Sequence, residues 1–438
     1  MQYIPNLIFA IVLIIGIGFF VKNIRKLIRN IKLGKAVDRS DNKSARWKNM
    51  AKIALGQYKM VRRPVSGILH VAVYLGFVII NIEVLEIIID GLFGTHRVFQ
   101  PILGDALYGF LIATFEILAT IVFVAVIIFW IRRNVIRVKR FLNKEMTGWP
   151  KNDGNIILYF EMVLMSLFII MNATDVHFQE AGVGNSISQF ITPLFDGASV
   201  GTLHIIEKSA WWIHIIGILA FLNYLYYSKH LHILLAFPNT FYAKLQPKGQ
   251  LDNLESVTKE VQLMMDPSAD PYAAQPEGTE DEVPEKFGAS DVADLNWVQL
   301  MNAYTCTECG RCTSACPANI TGKELSPRAI MMKTRDRMEE VGKNIDANNG
   351  EFKDDGKQLL NDYISPEELW ACTSCNACVQ ECPVNIDPLS IIMDMRRYLV
   401  MEESAAPQEL NMMMTNIENN GAPWQYNQQD RLNWKDEE

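Results

Sequence analysis

Five long apolar runs interrupt an otherwise mixed sequence, at approximately Ile4–Val21, Val65–Ile89, Ile102–Ile131, Ile156–Ala173 and Leu203–Tyr227. A helix that crosses a bilayer needs roughly 20 such residues, so each run predicts one crossing. The first run has no basic residue before it, no small-residue cleavage site and a dense basic stretch after it, so it is expected to be an uncleaved anchor rather than a secretion signal. Beyond residue 240 the pattern changes. Residues 241–294 hold Pro247, Pro267, Pro271, Pro276, Pro284 and the acidic run Glu277–Glu285. That is the composition of a linker or partly ordered arm, with a docking strip for a basic partner as the alternative. Further on, Ser326-Pro327, Ser365-Pro366-Glu367-Glu368 and Asp387-Pro388 each place a capping side chain before a proline at the first helical position. Helices are therefore expected to start at Pro327, Pro366 and Pro388. The predicted fold is mainly α: a five-transmembrane-helix bundle in residues 1–240, the linker, a second, α-helical domain in 295–402, and a tail in 403–438 expected to dock a partner.

Charge orients this arrangement. Up to Leu245 there are 25 Lys and Arg against 14 Asp and Glu, whereas the remainder holds 16 against 35. Lys22 to Arg63 carries fourteen basic residues and Arg132 to Lys151 seven, while Asn152 to Glu207 carries none. By the positive-inside rule the two basic loops face the cytoplasm, and the amino terminus and the Asp175–Gly201 loop lie outside. Five crossings then deliver the carboxyl half to the cytoplasmic side of a bacterial inner membrane. No nucleic-acid partner is expected.

All eight cysteines fall into two copies of one pattern: Cys306, Cys309, Cys312 and Cys316-Pro317, then Cys372, Cys375, Cys378 and Cys382-Pro383. This is the bacterial ferredoxin run for two [4Fe–4S] clusters, in which the fourth cysteine ligates the other cluster. The spacing predicts Cys306, Cys309, Cys312 and Cys382 on cluster 1, and Cys372, Cys375, Cys378 and Cys316 on cluster 2. Zinc is the competing reading of short cysteine gaps, but zinc sites do not usually carry three cysteines at consecutive two-residue gaps plus a Cys-Pro, twice over. Thiolate-bound clusters need a reducing compartment, which agrees with the orientation from loop charge and disfavours disulfides. More than fifty residues separate the two runs, which favours an α-helical ferredoxin over a compact β-rich one.

None of the seven histidines lies in the cluster domain. His214 and His232 are eighteen residues apart, five whole turns of one continuous helix, so they are expected to share a face about 27 Å apart. His230 projects roughly 160° from His214 in the same geometry. His70 lies near the cytoplasmic end of the second crossing, where it can meet His232 but hardly His214. Two imidazoles from different helices are a standard axial set for b-type haem, and polar side chains inside a bilayer are costly enough to imply a purpose. The bland reading makes His70 a helix–helix hydrogen-bond partner and leaves His230 and His232 at the interface. His96 and His177 fall in outer loops and are expected to be solvated.

The stretch from His214 through Ser228-Lys229 to His232 resembles the fifth helix of nitrate reductase gamma-type cytochrome b subunits and of the membrane subunit of heterodisulfide reductase. That resemblance implies five crossings, an outside amino terminus and two haems b between the second and fifth helices. His70 matches the inner ligand of the family's second helix. Where the family carries its outer ligand, this chain has Ile80, which leaves His214 without its family partner. The soluble half, through Thr305-Cys306-Thr-Glu-Cys-Gly-Arg-Cys312, Thr321-Gly322-Lys323, Leu325-Ser326-Pro327-Arg328 and Asp394-Met395-Arg396-Arg397, is similar to the ferredoxin-like part of the heterodisulfide reductase catalytic subunit and its relatives. The tail resembles the segment that in those relatives leads into cysteine-rich modules. A cytoplasmic cysteine-rich iron–sulfur subunit or a flavoprotein is the partner this implies.

No nucleotide-binding glycine loop, nucleophile elbow or zincin helix is present, and no catalytic pair is evident. The sequence therefore predicts a protein that moves electrons between a cytoplasmic partner and membrane quinone. A membrane anchor or redox-sensing scaffold is the alternative. A fused succinate or fumarate-type subunit would bring a plant-type [2Fe–2S] run, and none is present. Glu116 and Glu161, within crossings, are candidates for quinone or proton handling; Glu83, Glu86 and Asp90 are expected to be solvated at the outer interface. Arg62, Arg63 and Lys229 are candidates for haem propionates, though positive-inside anchoring explains them equally well. Trp211 and Trp212 fit an interfacial belt.

Overall fold

The computed structural model describes residues 3–266, 268, 286–425 and 427–436; the Glu277–Glu285 run and Pro267, Pro271, Pro276 and Pro284 lie outside them. Among the described residues the regular structure is helical, with two isolated β-bridges. Five helices among the described residues are long and apolar enough to cross a membrane: α1 (Ile4–Ile31), α2 (Pro64–Phe93), α3 (Asp105–Asn134), α4 (Trp149–Thr174) and α5 (Val200–Tyr224, prolonged by a 3₁₀ turn to Tyr227). Proline in the first turn opens α1, α2 and α4, where its missing N–H costs nothing. Gly94, in the left-handed region, closes α2.

The helices α2, α3, α4 and α5 pack in sequence, and α1 lies against α2 and α5. Small residues set the closest approaches: a Cβ on Gly76 of α2 would stand 2.3 Å from Val122 of α3, and one on Gly217 of α5 2.8 Å from Leu164 of α4. The bundle core joins Tyr108, Ile112, Phe115 and Ala119 of α3 to Phe168 and Met171 of α4, Ile80 of α2 and Ala210 of α5.

The continuous fifth helix expected from the sequence is interrupted. Ser228 is extended (ψ 148°), its side chain accepts from the His230 N–H, and a 3₁₀ turn over Lys229–Leu231 leads into a new helix, α6 (His232–Phe241). The break is secured from α4, where Asp153 accepts from the Tyr224 hydroxyl at 2.6 Å and the Lys229 N–H at 3.1 Å. His214 and His232 therefore do not share one helical face. A buried carboxylate offering both of its oxygens to the break outweighs the helical periodicity of the sequence.

The cluster region is built on α7 (Trp297–Thr305), α8 (Pro327–Ala347) and α9 (Pro388–Met401), followed by α10 (Gln408–Asn420) in the tail. The capped starts are where the sequence places them. Ser326 accepts from Ala329 N, Ser365 and Glu368 form a reciprocal capping box, and Asp387 accepts from Ser390 N.

The first helix does not stop at the membrane. Leu27, fully buried, with Ile24 and Ile31, joins a core shared with Leu300, Ala303, Tyr304, Met338 and Val341 of α7 and α8. Asn30 donates to the Tyr304 hydroxyl at 2.9 Å, and Gly342 gives it room, since a Cβ there would sit 2.6 Å from Asn30. Lys35 bridges to Asn296, with Lys35 N donating to Leu295 O at 2.8 Å and Trp297 N to Lys35 O at 3.1 Å. Packing thus crosses the boundary that composition places at residue 240. We call the end of the bundle that meets this region the near end, and the opposite one the far end.

Candidate functional site

The two cysteine runs are brought together by short helices over Arg311–Ser314 and Ala377–Glu381, which pack on each other. One small cavity between them is lined by Cys306, Cys309, Cys312 and Cys382, the set assigned to cluster 1, together with Cys378. Each loop needs a residue in the left-handed region to turn back on itself: Glu308 and Gly310 in the first, Ser374 and Asn376 in the second. Backbone N–H groups point at sulfur, Ser374 N to Cys372 Sγ at 3.4 Å and Ile386 N to Cys382 Sγ at 3.3 Å. All eight cysteines are free thiols. Burial pushes Cys306 and Cys378 up to about 12 and Cys382 to about 11. Such thiols ionise only against a cationic centre, which bound iron supplies. Cys375 is the exposed member of the eight, so the second run reaches the surface there, whereas none of Cys306, Cys309, Cys312 and Cys382 is exposed.

Three near-end loops fasten the first site to the bundle. Arg311, beside Cys312, donates to Lys59 O at 3.3 Å and to Ser66 Oγ at 3.4 Å. Ser66 is one turn before His70 on α2. Lys59 donates to the carbonyls of Val379 and Cys382 at 3.1 and 3.2 Å, and burial pulls its ammonium down to about 8. From the α3–α4 loop, Glu145 accepts from Arg328 at 2.7 Å and from Ser326 at 2.8 Å. From the break after α5, Lys229 donates to Glu308 at 2.5 Å, and Arg335 holds the other Glu308 oxygen at 2.6 Å. Burial alone would raise the Glu308 carboxyl, but these two cations hold it below its ordinary range.

Just inside this interface His70 and His232 face one another with ring centres 6.3 Å apart. Nδ1 of His232 is bonded to the carbonyl of Lys229 at 3.2 Å, which fixes the ring and leaves Nε2 free for another partner. Nδ1 of His70 is buried with no hydrogen-bond partner. With a metal–nitrogen bond of about 2 Å, two imidazoles opposed across one iron place their ring centres about 6 Å apart. His230, expected to point away, packs against His232 at 5.2 Å and Phe221 at 5.5 Å, and Phe221 in turn touches Phe160 at 5.5 Å. His214 is buried beside Phe168 with Nδ1 unpartnered, and Ile80 sits in the neighbouring apolar core with no imidazole to offer it.

Other sequence candidates resolve differently. Lys229 is not free for a propionate, because its ammonium is held by Glu308 and by Pro150 O at 2.6 Å. Arg63 pairs with Glu381 at 2.9 Å, and Arg62 lies over the Tyr58 ring. Glu116 is fully buried and saturated: it accepts from Asn172 at 3.0 Å and from the N–H groups of Ile187 and Ser188 at 2.7 and 3.0 Å. Glu161 is buried on α4, with no hydrogen bond among the described residues. Glu83 and Glu86 are buried rather than solvated, because Phe99 N and the Tyr108 hydroxyl donate to Glu86 and Arg97 binds Asp175, Asn172 and Tyr108 beside them. Asp90 accepts from Arg97 N at 2.7 Å. His96 stands 3.2 Å from Asp175. With Phe9, Trp211 and Trp212 these groups line a far-end cavity of about 260 Å³. Sequence reasoning missed Glu308, Arg97 and Arg311, whose partners are distant in the chain and leave no periodic signal.

The 4Fe-4S dicluster domain family matches residues 305–386, which hold all eight cysteines. Along 98% of its length the chain is 29% identical to the "Probable iron-sulfur-binding oxidoreductase FadF" of Bacillus subtilis, of which it covers 61%. It is 24% identical, again over 98% of the chain, to the "EtfAB:quinone oxidoreductase" of Syntrophomonas wolfei, covering 59% of that protein. Over 34% of its length it is 27% identical to a dihydromethanophenazine:CoB–CoM heterodisulfide reductase subunit of Methanosarcina mazei, covering 36% of it. The chain spans about three fifths of the two relatives it matches end to end. No solved structure matches it. The chain thus carries a 4Fe-4S dicluster domain after five helices apolar enough to cross a membrane, and is similar to iron–sulfur oxidoreductases and heterodisulfide reductase subunits.

Proposed function

We propose that this chain conducts electrons between a cytoplasmic redox partner and the membrane quinone pool. The carrying observation is the His70–His232 pair, 6.3 Å apart and one turn beyond the Ser66 that Arg311 of the first cysteine loop contacts. Cys306, Cys309, Cys312 and Cys382 would hold the cluster nearer the bundle, Cys372, Cys375, Cys378 and Cys316 the outlying one, and His70 and His232 a haem b. Bound there, these groups supply one-electron steps. The protein's own residues set the order of access. Cys375 opens the outlying site to a soluble partner, while Arg311, Lys59 and Lys229 clamp the nearer one onto α2 and α5. A cytoplasmic near end is the orientation that the positive-inside rule supports for the basic loops that make these clamps. The partner is a flavoprotein or a cysteine-rich iron–sulfur subunit, in keeping with the name of the EtfAB:quinone oxidoreductase relative. Glu161, buried without a partner on the α4 helix that carries Phe160, is the group offered for quinone protons, whereas the saturated Glu116 anchors the far-end loop. His214, with Phe168 and not an imidazole beside it, makes one haem the expected number.

The test is a dithionite-reduced minus oxidised spectrum of the purified membrane protein, followed by addition of a quinol. Haem b bands that the quinol itself produces, and that His70→Ala abolishes while the cluster iron holds, are the expected result. Absence of those bands in wild-type protein overturns the reading in favour of an anchor or scaffold.

A further inference from the structure

The residue that joins the cysteine loop to the paired imidazoles lies on neither site's ligand set. Lys229 faces both ways: its ammonium bonds Glu308 in the first cysteine loop at 2.5 Å, and its carbonyl takes the Nδ1 bond of His232 at 3.2 Å. It is itself pinned, since Asp153 accepts its N–H at 3.1 Å and Pro150 O its ammonium at 2.6 Å, both from the start of α4. Its side chain is only 10% exposed and that of Glu308 3%. A buried charge pair of this kind is costly unless its members are otherwise bonded, and here Glu308 has Arg335 on its second oxygen and the Lys229 ammonium a second acceptor in Pro150 O. Apolar residues would brace the two parts without that desolvation cost. A buried charge pair also does what they cannot, which is to set the electrostatic potential at both sites at once.

We propose that Lys229 is a positioning residue that couples the nearer cluster site to the His70–His232 site, holding them in register and setting the reduction potentials of both through its pair with Glu308. The inference rests on the haem reading above for its second half only; the cluster half stands on the Lys229–Glu308 contact. Removing the ammonium leaves the Glu308 carboxylate under-compensated, so an added electron nearby is disfavoured. Removing the carboxylate's charge does the reverse.

The experiment compares midpoint potentials, by redox titration monitored optically for haem and by electron paramagnetic resonance for the clusters, in wild type, Lys229→Met, Glu308→Gln and the double variant. Lys229→Met is expected to lower the potentials, by roughly a tenfold change in the oxidised-to-reduced ratio, or about 59 mV for one electron. Glu308→Gln is expected to raise them, and the double variant to return toward wild type. Unchanged potentials, or shifts of the same sign in both single variants, overturn the proposal. Should Lys229→Met fail to assemble, Glu308→Gln alone decides, an upward shift supporting and no shift overturning it. Wild-type protein with clusters but no haem refutes the functional reading instead, and the cluster potentials still judge the Lys229–Glu308 pair.

Discussion

The two ends of the helix bundle handle buried polar groups in opposite ways. At the far end they satisfy one another. Arg97 reaches Asp175, Asn172 and Tyr108, Glu86 takes Phe99 N and Tyr108, and Glu116 takes Asn172 and two loop N–H groups; Glu83, with one bare oxygen, is the exception. At the near end the loops are bonded to the cluster region, yet His70 carries a buried Nδ1 with no partner, its ring centre 6.3 Å from that of His232, whose own Nδ1 is fixed by Lys229 O. A network that closes on itself is a structural element. The open imidazole is what the receptacle reading rests on, because burying the His70 Nδ1 without recompense costs about 1–3 kcal/mol.

Substitutions at the two ends should separate receptacle from structural network. The largest effect is expected from Cys306→Ala or Cys382→Ala, either of which should remove about half of the iron, that of one cluster of two. Iron analysis checks this, and loss of iron from the pair alone, with Cys372→Ala removing the other half, tests the cross-assignment of the fourth cysteines. Next, His70→Ala should eliminate haem absorbance while leaving the cluster iron at its wild-type level. At the far end, Arg97→Ala should leave both cofactors in place but cost about 3–5 kcal/mol, because Asp175 would be stranded; denaturation in detergent reads it.

Asp175 adds a pH signature. Burial alone would raise its carboxyl, but the His96 hydrogen bond and the Arg97 charge hold it well below the usual range. Its contribution to stability is therefore fully present above the ordinary carboxylate value of about 3.9 and is lost as pH falls through the lower folded value. Asp175→Asn should be destabilised already at neutral pH and lose less on acidification than wild type. The smallest effect belongs to the half-exposed contacts of α1 with the cluster region: Asp346→Asn, which removes the pairs with Lys26 and Arg29, should cost under about 1 kcal/mol.

What the sequence made legible follows from range. Crossings, caps and cysteine runs are written in neighbouring residues, so Pro327, Pro366 and Pro388 start helices where their caps say they do. The break at Ser228 was not legible, because it depends on Asp153, seventy-five residues earlier, offering both oxygens across a helix interface. That break also carries His232 out of the line of α5 and undoes a phase argument that assumed one continuous helix. Burial of Glu83 and Glu86 was hidden for the same reason, since Arg97 and Tyr108 complete their surroundings only after α2 and α3 pack. Composition, likewise, divided the chain at residue 240 and gave no sign that Leu27 belongs to the later core.

The reach of that first helix has a consequence for assembly. A segment made before the other crossings forms one wall of a compartment completed only by residues far later in the sequence, so the iron-binding part has no complete interior until Ile24, Leu27 and Ile31 are already standing beside it. A fragment beginning after the fifth crossing would present an open apolar trough where α1 should lie, so seating of that helix has to precede maturation of the thiol sites.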